Sequence, residues 1–555
     1  MIDVMLLALA LGAYLYVVSG YLGLPPVGFH AWDESQYLAV LHNIVAHNAP
    51  FLFLDAYDLQ HPVFYSGFLF YWAEFLSYAF ASFLGASNEI IIFRASSIAA
   101  TFASAILLTA ILNEFGVKRL ANLTSVVLFV ASPLAVYFGW KAILEPILVC
   151  IFLFSQLIVV RALKRRTFPT VPMVVSLIMG GSLMASKFDF APFMPLWLLP
   201  PLFFGGHEVL SAFRRLAYVL LAVAAVVAGA AITLFPSQLL YPQYFPAELN
   251  ILAGYLVGNA EAALSIPMQF PNAMLTFIFR VTWIQTTVFF PLCLMGMMSV
   301  RRIRVEKPLK IYFLVLSFVT LLFLLLTYPN DAVNFYQAYY AVPWLVLGTG
   351  LFLQRLGDTR HKGITGVAIL ALVLLSVAIS GYNLNSFYGI GSSRVYSGID
   401  PYGTIESYVV GLTIRYVLNQ TGNPAGYALV QSPTMIYPID HESLNFQDMY
   451  VWNSSLREYT ALYSLFDNES QFVAELETKN IAILTLTPDV SAAMTPSLGD
   501  YIARGFTGIC HTSHTTIMLN TTLYVQYPFI GQSCDGYLAG LAASNYYDKI
   551  ATEGD

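Results

Sequence analysis

Residues 61–85 read HPVFYSGFLFYWAEFLSYAFASFLG, and whether this stretch crosses a membrane decides the topology of everything after it. It is apolar enough to span, yet Glu74 stands in its middle and His61 at its start. A spanning helix would hold Glu74 near mid-membrane, at a cost of about 2.5–3.5 kcal/mol on insertion scales. Its many aromatic residues favour the membrane–water boundary instead. We therefore expect an interfacial helix over 61–84, lying along the outer face.

The surroundings make a membrane the relevant solvent. Of 555 residues, 58% are hydrophobic and 10% charged, whereas a soluble domain carries roughly a quarter charged. Apolar runs of about 20 residues recur, the length that crosses a hydrocarbon core about 30 Å thick. Eleven candidate spans emerge: about 3–23, 90–112, 121–140, 143–161, 170–187, 190–205, 216–235, 274–299, 309–328, 332–353 and 363–382. The first lacks the basic start and small-residue cleavage site of a signal peptide and is kept as a span.

Charge placement tests that count. With the N-terminus in the cytoplasm, 16 of the 26 lysines and arginines fall on the cytoplasmic side. They cluster at Lys118–Arg119, Arg161–Arg166, Arg214–Arg215, Arg301–Lys310 and Arg355–Lys362, as the positive-inside rule requires. A crossing at 61–84 would turn every one of these clusters outward. The first outer loop, 24–89, then carries Asp33-Glu34 within HAWDESQY (30–37) on the outer side.

After Tyr382 the composition changes. Short β-rich runs (Tyr427–Val430, Ile481–Leu486, Thr516–Val525) and helix-like stretches near 404–419 and 470–479 predict an extracytoplasmic α/β domain over 383–555, following a transmembrane domain over 1–382. Four sequons in this tail, headed by Asn419, Asn453, Asn468 and Asn520, suit an outer location. Asn122-Leu-Thr124 falls on the cytoplasmic side and should stay bare. Cys510 and Cys534 share the outer domain, where a disulfide is permitted. Cys510, His511, His514 and Cys534 could alternatively suggest zinc, but the spacing is loose.

Six of the remaining cations lie in the tail, which leaves Arg94, Lys141, Lys187 and Arg280, all at the outer ends of spans. Nearby acids could account for each singly: Glu89 for Arg94, Glu145 for Lys141, Asp189 for Lys187. Four together, on the side of Asp33-Glu34, suit a membrane-borne anion such as a lipid phosphate. Arg94, Lys187 and Arg280 are expected to converge on it, with Lys141 paired structurally to Glu145.

These segments carry a resemblance. The succession WDESQY (32–37), QHPVFYSGFLFYW (60–72), FRASSIAATFASAIL (93–107), WKAILEP (140–146) and MASKFDF (184–190) resembles the C-type membrane glycosyltransferases. The nearest branch holds the protein O-mannosyltransferases and the aminoarabinose transferase of lipid A. The likeness covers residues 1–205 well and later spans in layout, with NFYQAYYAVPWLVL (334–347) matching a tyrosine-rich late span. Two departures stand out: His61-Pro62-Val63 lacks a second proline, and position 145 is Glu where many relatives have Asp.

The resemblance implies an α-helical polytopic membrane enzyme that moves a sugar from a polyprenyl-phosphate donor of the dolichyl type to a glycan, protein or lipid acceptor outside the cytoplasm, in the plasma membrane or an equivalent ER membrane. It implies Asp33 as catalytic base, with Glu34 assisting. Arg94, Lys187 and Arg280 would hold the donor phosphate, and His61, Glu145 and Tyr339 the acceptor or sugar. A divalent cation, Mg or Mn, would sit on Glu34 and Glu145 if one is used. No nucleic-acid partner is expected. The chemistry agrees without the name, because nucleotide sugars are absent outside the cytoplasm and anomeric displacement needs a base and cations for the departing phosphate. A transporter would gather its polar residues near the midplane rather than at one edge. A sensor or assembly protein with a large outer domain is the other alternative. The tail has no Trp-Trp-Asp-Tyr-Gly stretch of the kind that marks oligosaccharide transfer to asparagine; Tyr450-Val-Trp452-Asn is no substitute.

Overall fold

The computed structural model describes residues 2–19, 68–166, 170–203, 209–240, 288–300, 305–327, 338–358, 481–486, 495–511 and 516–526, together with shorter pieces between them. It divides into two compact units. One holds 1–22, 64–248 and 256–390; the other holds 23–63, 249–255 and 391–555.

The first unit is helical. In chain order among the described residues it runs α1 (Ile2–Ser19), α2 (Phe68–Phe83), α3 (Glu89–Glu114), α4 (Arg119–Val130), α5 (Pro133–Phe138), α6 (Leu144–Arg165) and α7 (Val171–Ser186). A 3-10 turn (Phe188–Phe193) leads to α8 (Met194–Phe203), α9 (Val209–Leu240), α10 (Phe289–Ser299), α11 (Lys307–Thr327) and α12 (Val342–Gly357). Among the described residues, four helical segments, Glu89–Glu114, Leu144–Arg165, Phe213–Leu234 and Lys307–Leu324, are long and apolar enough to cross a membrane. Large apolar side chains stay exposed along α9, including Phe213, Leu216, Leu220 and Ile232, as a lipid-facing helix would have them. Helices also approach closely through small residues. A Cβ on Gly181 of α7 would strike the Val226 carbonyl of α9, and one on Gly229 of α9 would strike Ile178 of α7.

The third expected span, 121–140, is broken. Ser132 caps a new helix by accepting from the Ala135 amide at 3.3 Å, and Pro133 opens α5. A turn over 139–143 then separates α5 from α6.

Helix α2 lies across one end of the bundle. At its start the Leu69 amide donates to Ser186 Oγ, at the C-terminus of α7, at 3.1 Å. At its finish Gly85, with φ of +88°, closes a Schellman turn in which the Ala86 amide reaches the Ala81 carbonyl at 3.0 Å. Asn88 then caps α3 by accepting from the Ile91 amide at 3.1 Å, and Tyr78 stacks on Phe93 at 6.0 Å. A 16-residue helix is about 24 Å long. Both its ends nevertheless meet the same end of the unit, so it runs over the bundle rather than through it.

Glu74 departs from expectation. A polar side chain on an interfacial helix should reach the headgroups or the reaction cavity, yet Glu74 is fully buried, and neither carboxyl oxygen has a hydrogen-bond partner among the described residues. Ser96 is the polar side chain closest to influencing it, but the Ser96 hydroxyl donates to the Phe93 carbonyl. The reason is periodicity. Phe70, Tyr71 and Glu74 share the helix face that packs on α3, α6 and α7, while Leu76, Phe80 and Phe83 stay outside.

In the second unit, Glu34, Tyr37, Leu38, Val40, Leu41, Ile44 and Val45 are helical, as are Val410, Thr413, Ile414 and Val417. Strands β1 (Tyr427–Leu429), β4 (Ile481–Leu486), β5 (Phe506–His511) and β6 (Thr516–Asn520) form a sheet in the order β1-β4-β6-β5. In it β1 is parallel to β4 and the other pairs are antiparallel. Strands β2 (Trp452–Asn453) and β3 (Glu458–Tyr459) form a separate ribbon. Helix α13 (Pro496–Gly505) precedes β5, and α14 (Thr521–Gln526) follows β6. The expected strand through Val525 therefore ends at Asn520, whose side-chain oxygen accepts from the Thr522 amide at 3.0 Å and turns the chain. Cys510 is disulfide-bonded while Cys150 and Cys293 are free; Cys534 lies outside the described residues. A bridged cysteine has no thiolate to give, so Cys510 is not a zinc ligand.

Candidate active site

The site grows from the N-terminus of α6. Ile143 is extended (φ −123°, ψ 166°), the helix begins at Leu144, and Glu145 falls in its first turn, where a carboxylate meets the positive end of the helix dipole. Lys187 stands at the opposite kind of terminus. It is the C-cap of α7, its amide donating to the Leu183 carbonyl at 2.8 Å, and a cation there is likewise favoured. The two meet, with Lys187 Nζ 2.9 Å from Glu145 Oε1. Tyr340, in the 3-10 turn before α12, donates its hydroxyl to the same oxygen at 3.0 Å. Glu145 and Tyr340 are each 1% exposed. Asp189 Oδ2 lies 3.9 Å from the ammonium, and Phe190 packs edge-on to the Tyr340 ring at 4.8 Å. Both partners of Glu145 take Oε1, so among the described residues Oε2 makes no hydrogen bond.

A second cluster surrounds Trp140. The Arg94 guanidinium lies 4.8 Å from the centre of the indole and donates to the Leu22 carbonyl at 3.0 Å. Lys141 Nζ is 5.9 Å from the same ring and 4.7 Å from that of Tyr137. Both cations are 1% exposed. Aromatic faces ease the burial of cations by about 0.5–2 kcal/mol each.

Hydroxyl bonds link the segments that carry the two clusters. Thr101, two helical turns beyond Arg94 on α3, donates to the Gly139 carbonyl at 2.8 Å and meets the Tyr339 hydroxyl at 3.3 Å. Tyr14 of α1 donates to the Ala135 carbonyl at 3.1 Å. Consecutive tyrosines thus divide the work: Tyr339 fixes its turn to α3, and Tyr340 reaches Glu145.

The sequence expectations fare unevenly. Asp33, His61 and Arg280 lie outside the described residues. Glu34 is fully buried and belongs to the second unit. The cation expected on Glu145 is Lys141, but the one that pairs with it is Lys187. An i, i+4 pair needs both residues on one helix, and α6 starts only after Lys141. Tyr339, expected at the sugar, is fully buried against Thr101. Trp140, Tyr340 and Asp189 are not among the site residues that the sequence suggests. The aromatic beside the cation in WKAILEP and the doubled tyrosine in QAYYAVP are the signals that point to the first two.

The other end of this unit is charged in a different way. Glu114 receives Arg161 at 2.9 Å and Lys164 at 3.0 Å, and Lys118 pairs with Asp358, all with exposed or half-exposed partners. The buried ionic cluster and the basic clusters therefore occupy opposite ends of α3 and α6.

No family profile and no curated protein sequence matches the chain. Solved structures do. ArnT from Cupriavidus metallidurans, bound to undecaprenyl phosphate, superposes with a TM-score of 0.57 at 12% identity over 92% of this chain and 97% of that one. The oligosaccharyltransferase of Archaeoglobus fulgidus, in a complex with zinc and sulfate, gives 0.54 at 12% identity over 91% of this chain and 71% of its own. The archaeal AglB from the same organism, with an inhibitory peptide and a dolichol-phosphate, gives 0.51 at 11% over 91% and 72%.

Proposed function

We propose, from the fold shared with these structures, that the chain is an integral-membrane glycosyltransferase of the GT-C type. It would transfer a sugar from a polyprenyl-phosphate donor to an acceptor on the outer face of the membrane. The observation that carries this is the cluster of Lys187, Glu145 and Tyr340, with the Arg94 and Lys141 cluster at the same end of the bundle, opposite the basic clusters. The positive-inside rule makes that basic end cytoplasmic. The buried cluster, Asp33-Glu34 and the C-terminal domain would then face outward.

In the proposed reaction an acceptor hydroxyl attacks the anomeric carbon from the face opposite the phosphate. Asp33 takes the hydroxyl proton, the bond from the anomeric carbon to phosphate oxygen breaks, and the lipid phosphate leaves with the electron pair. Glu34 assists by orienting the acceptor. Arg94, Lys187 and Arg280 hold the phosphate as its charge grows, the guanidinium as a fork and the ammonium as a point charge. Glu145, fixed by Lys187 and Tyr340 through Oε1, offers Oε2 to a sugar or acceptor hydroxyl, and His61 of the first outer loop would be a further ligand of the acceptor or sugar. Tyr339 serves this set by holding the turn that carries Tyr340. A divalent ion does not fit at Glu145 in this arrangement, because the Lys187 ammonium already occupies the positive position 2.9 Å from its carboxylate.

The test is to purify the protein in mild detergent, identify co-purified lipid by mass spectrometry, and incubate with polyprenyl-phosphate-linked sugars. Bound polyprenyl phosphate and release of that lipid on turnover are expected, with both lost in Arg94→Ala. A wild-type protein that neither retains nor consumes such a lipid would end the proposal.

A further inference from the structure

Two asparagines head sequons whose three residues are all described, and the fold treats them oppositely. Asn122-Leu123-Thr124 lies on α4, where Asn122 is 3% exposed. Its amide nitrogen donates to the Thr109 carbonyl at 3.0 Å and to Asn113 Oδ1 at 2.8 Å, and the Thr124 hydroxyl donates to the Leu120 carbonyl at 2.8 Å. Every donor that modification would need is already committed to helix packing.

Asn520-Thr521-Thr522 sits where β6 gives way to α14. Burial alternates along β6, with Ile517 and Leu519 turned inward and Thr516, Met518 and Asn520 on the half-exposed face. Asn520 Oδ1 accepts from the Thr522 amide at 3.0 Å, which holds the sequon's hydroxyl residue beside the asparagine. Asn520 Nδ2 makes no hydrogen bond among the described residues. A substituent on that nitrogen would displace no bond within the fold, and Thr522 itself is exposed.

We propose that Asn520 carries an N-linked glycan. The inference rests on the outward orientation of the C-terminal domain stated above. In the step, Asn520 Nδ2 forms a bond to the anomeric carbon of a lipid-phosphate- or lipid-diphosphate-linked glycan. The amide proton passes to a base of the transferring enzyme, and the lipid phosphate departs with the electrons of the broken carbon–oxygen bond. The acceptor hydroxyl residue is Thr522, as an asparagine sequon requires.

The experiment uses the full chain purified from its native membranes. Peptide mass spectrometry should find a glycan on the Asn520 peptide and none on the Asn122 peptide. The glycan should vanish in Asn520→Gln and in Thr522→Ala, which keeps both Asn520 and the backbone amide that caps it, and return in Thr522→Ser. In parallel, Ser497→Cys, an exposed position on α13, reports sidedness with a membrane-impermeant thiol reagent. Labelling from outside with Asn520 glycosylated supports the proposal. Labelling from outside with Asn520 bare overturns it and leaves the orientation standing. Labelling only after the membrane is opened overturns the orientation and the glycan proposal together.

Discussion

Glu145 and Glu74 are both carboxyls buried to within 1% in the same helical unit, and the fold gives them opposite surroundings. Glu145 stands at a helix N-terminus and holds an ammonium and a phenol on one oxygen. Glu74 stands in the middle of α2, away from either helix end, with no hydrogen bond among the described residues. Burial alone pushes the Glu74 carboxyl well above the usual range, and the nearby Ser96 hydroxyl opposes this only in part. The comparison teaches how charge is kept where water is scarce. A helix N-terminus and a cation converge on one carboxyl and favour its charged form, while burial without them favours the neutral acid at the other.

The largest expected effect comes from breaking the paired side. Lys187→Met leaves Glu145 charged and buried without its cation, which costs about 3–5 kcal/mol. It should abolish transfer and lower the melting temperature sharply. Lys187→Met combined with Glu145→Leu should recover most of the melting temperature and none of the activity. A single variant as stable as wild type, measured by thermal unfolding in detergent, would show that the pair is not the internal bond described here.

Tyr340→Phe is the next step down. It removes one neutral donor from a charged acceptor, a loss of about 1.5–3 kcal/mol. Turnover should fall more than donor binding does, because Glu145 remains but loses its fixed position. Tyr339→Phe should cost less, about 0.5–1.5 kcal/mol, since it gives up a hydroxyl contact with Thr101. If the two variants ranked the other way in turnover, Tyr339 rather than Tyr340 would be the residue serving Glu145.

That pair of tyrosines also shows where sequence reading runs out. Apolar runs of spanning length and basic clusters at alternate ends are one-dimensional signals, and they locate most of the helices. The choice between Tyr339 and Tyr340 depends on rotation about a short 3-10 turn, and no neighbour in the chain announces it. Lys187 and Glu145 are 42 positions apart and meet only because α7 ends where α6 begins. Chain proximity favours Lys141, and the turn over 139–143 removes it. The break at Ser132-Pro133 is legible as a cap followed by proline, but the continuous apolar run over 121–140 masks it. Asp33, His61 and Arg280 fall outside the described residues and stay at the level of their motifs.

Glu74 offers a gentler probe of the unpaired side. Glu74→Leu removes a polar group buried without partners and should stabilise the protein by roughly 1–3 kcal/mol at neutral pH. The pH dependence carries the sign. A carboxyl whose folded pKa is raised withdraws stability as pH climbs above its unfolded value near 4.3, by at most about 1.4 kcal/mol per unit, until its folded pKa is reached. Leucine does not titrate, so the stability gap between variant and wild type should be small at pH 5 and wider at pH 8. A gap that stays flat across that range would mean Glu74 is already ionised in the folded protein, with a partner to hold it.

The smallest perturbation tests the premise shared by both carboxyls, that α2 lies over the end of the bundle where Glu145 sits. Ala86 is exposed in the loop between α2 and α3, where the Schellman turn at Gly85 has just reversed the chain. Ala86→Cys should therefore leave stability and turnover within error of wild type. The start of α2 is tied to Ser186 beside Lys187, and its end leads through Asn88 into the turn of α3 that precedes Arg94. Both ends then lie on one side of the membrane, the outer side in the proposed orientation. The thiol introduced by Ala86→Cys should react with a membrane-impermeant maleimide in intact cells, against a wild-type background in which Cys293 is buried and Cys150 only half-exposed. Reaction only after the membrane is opened would place residue 86 in the cytoplasm. If Ser497→Cys then also reacted only after opening, the whole bundle would be inverted; if it still reacted from outside, the helix would have to cross, carrying Glu74 through the hydrocarbon, and the contrast between the two carboxyls would become one between an outer site and a mid-membrane charge.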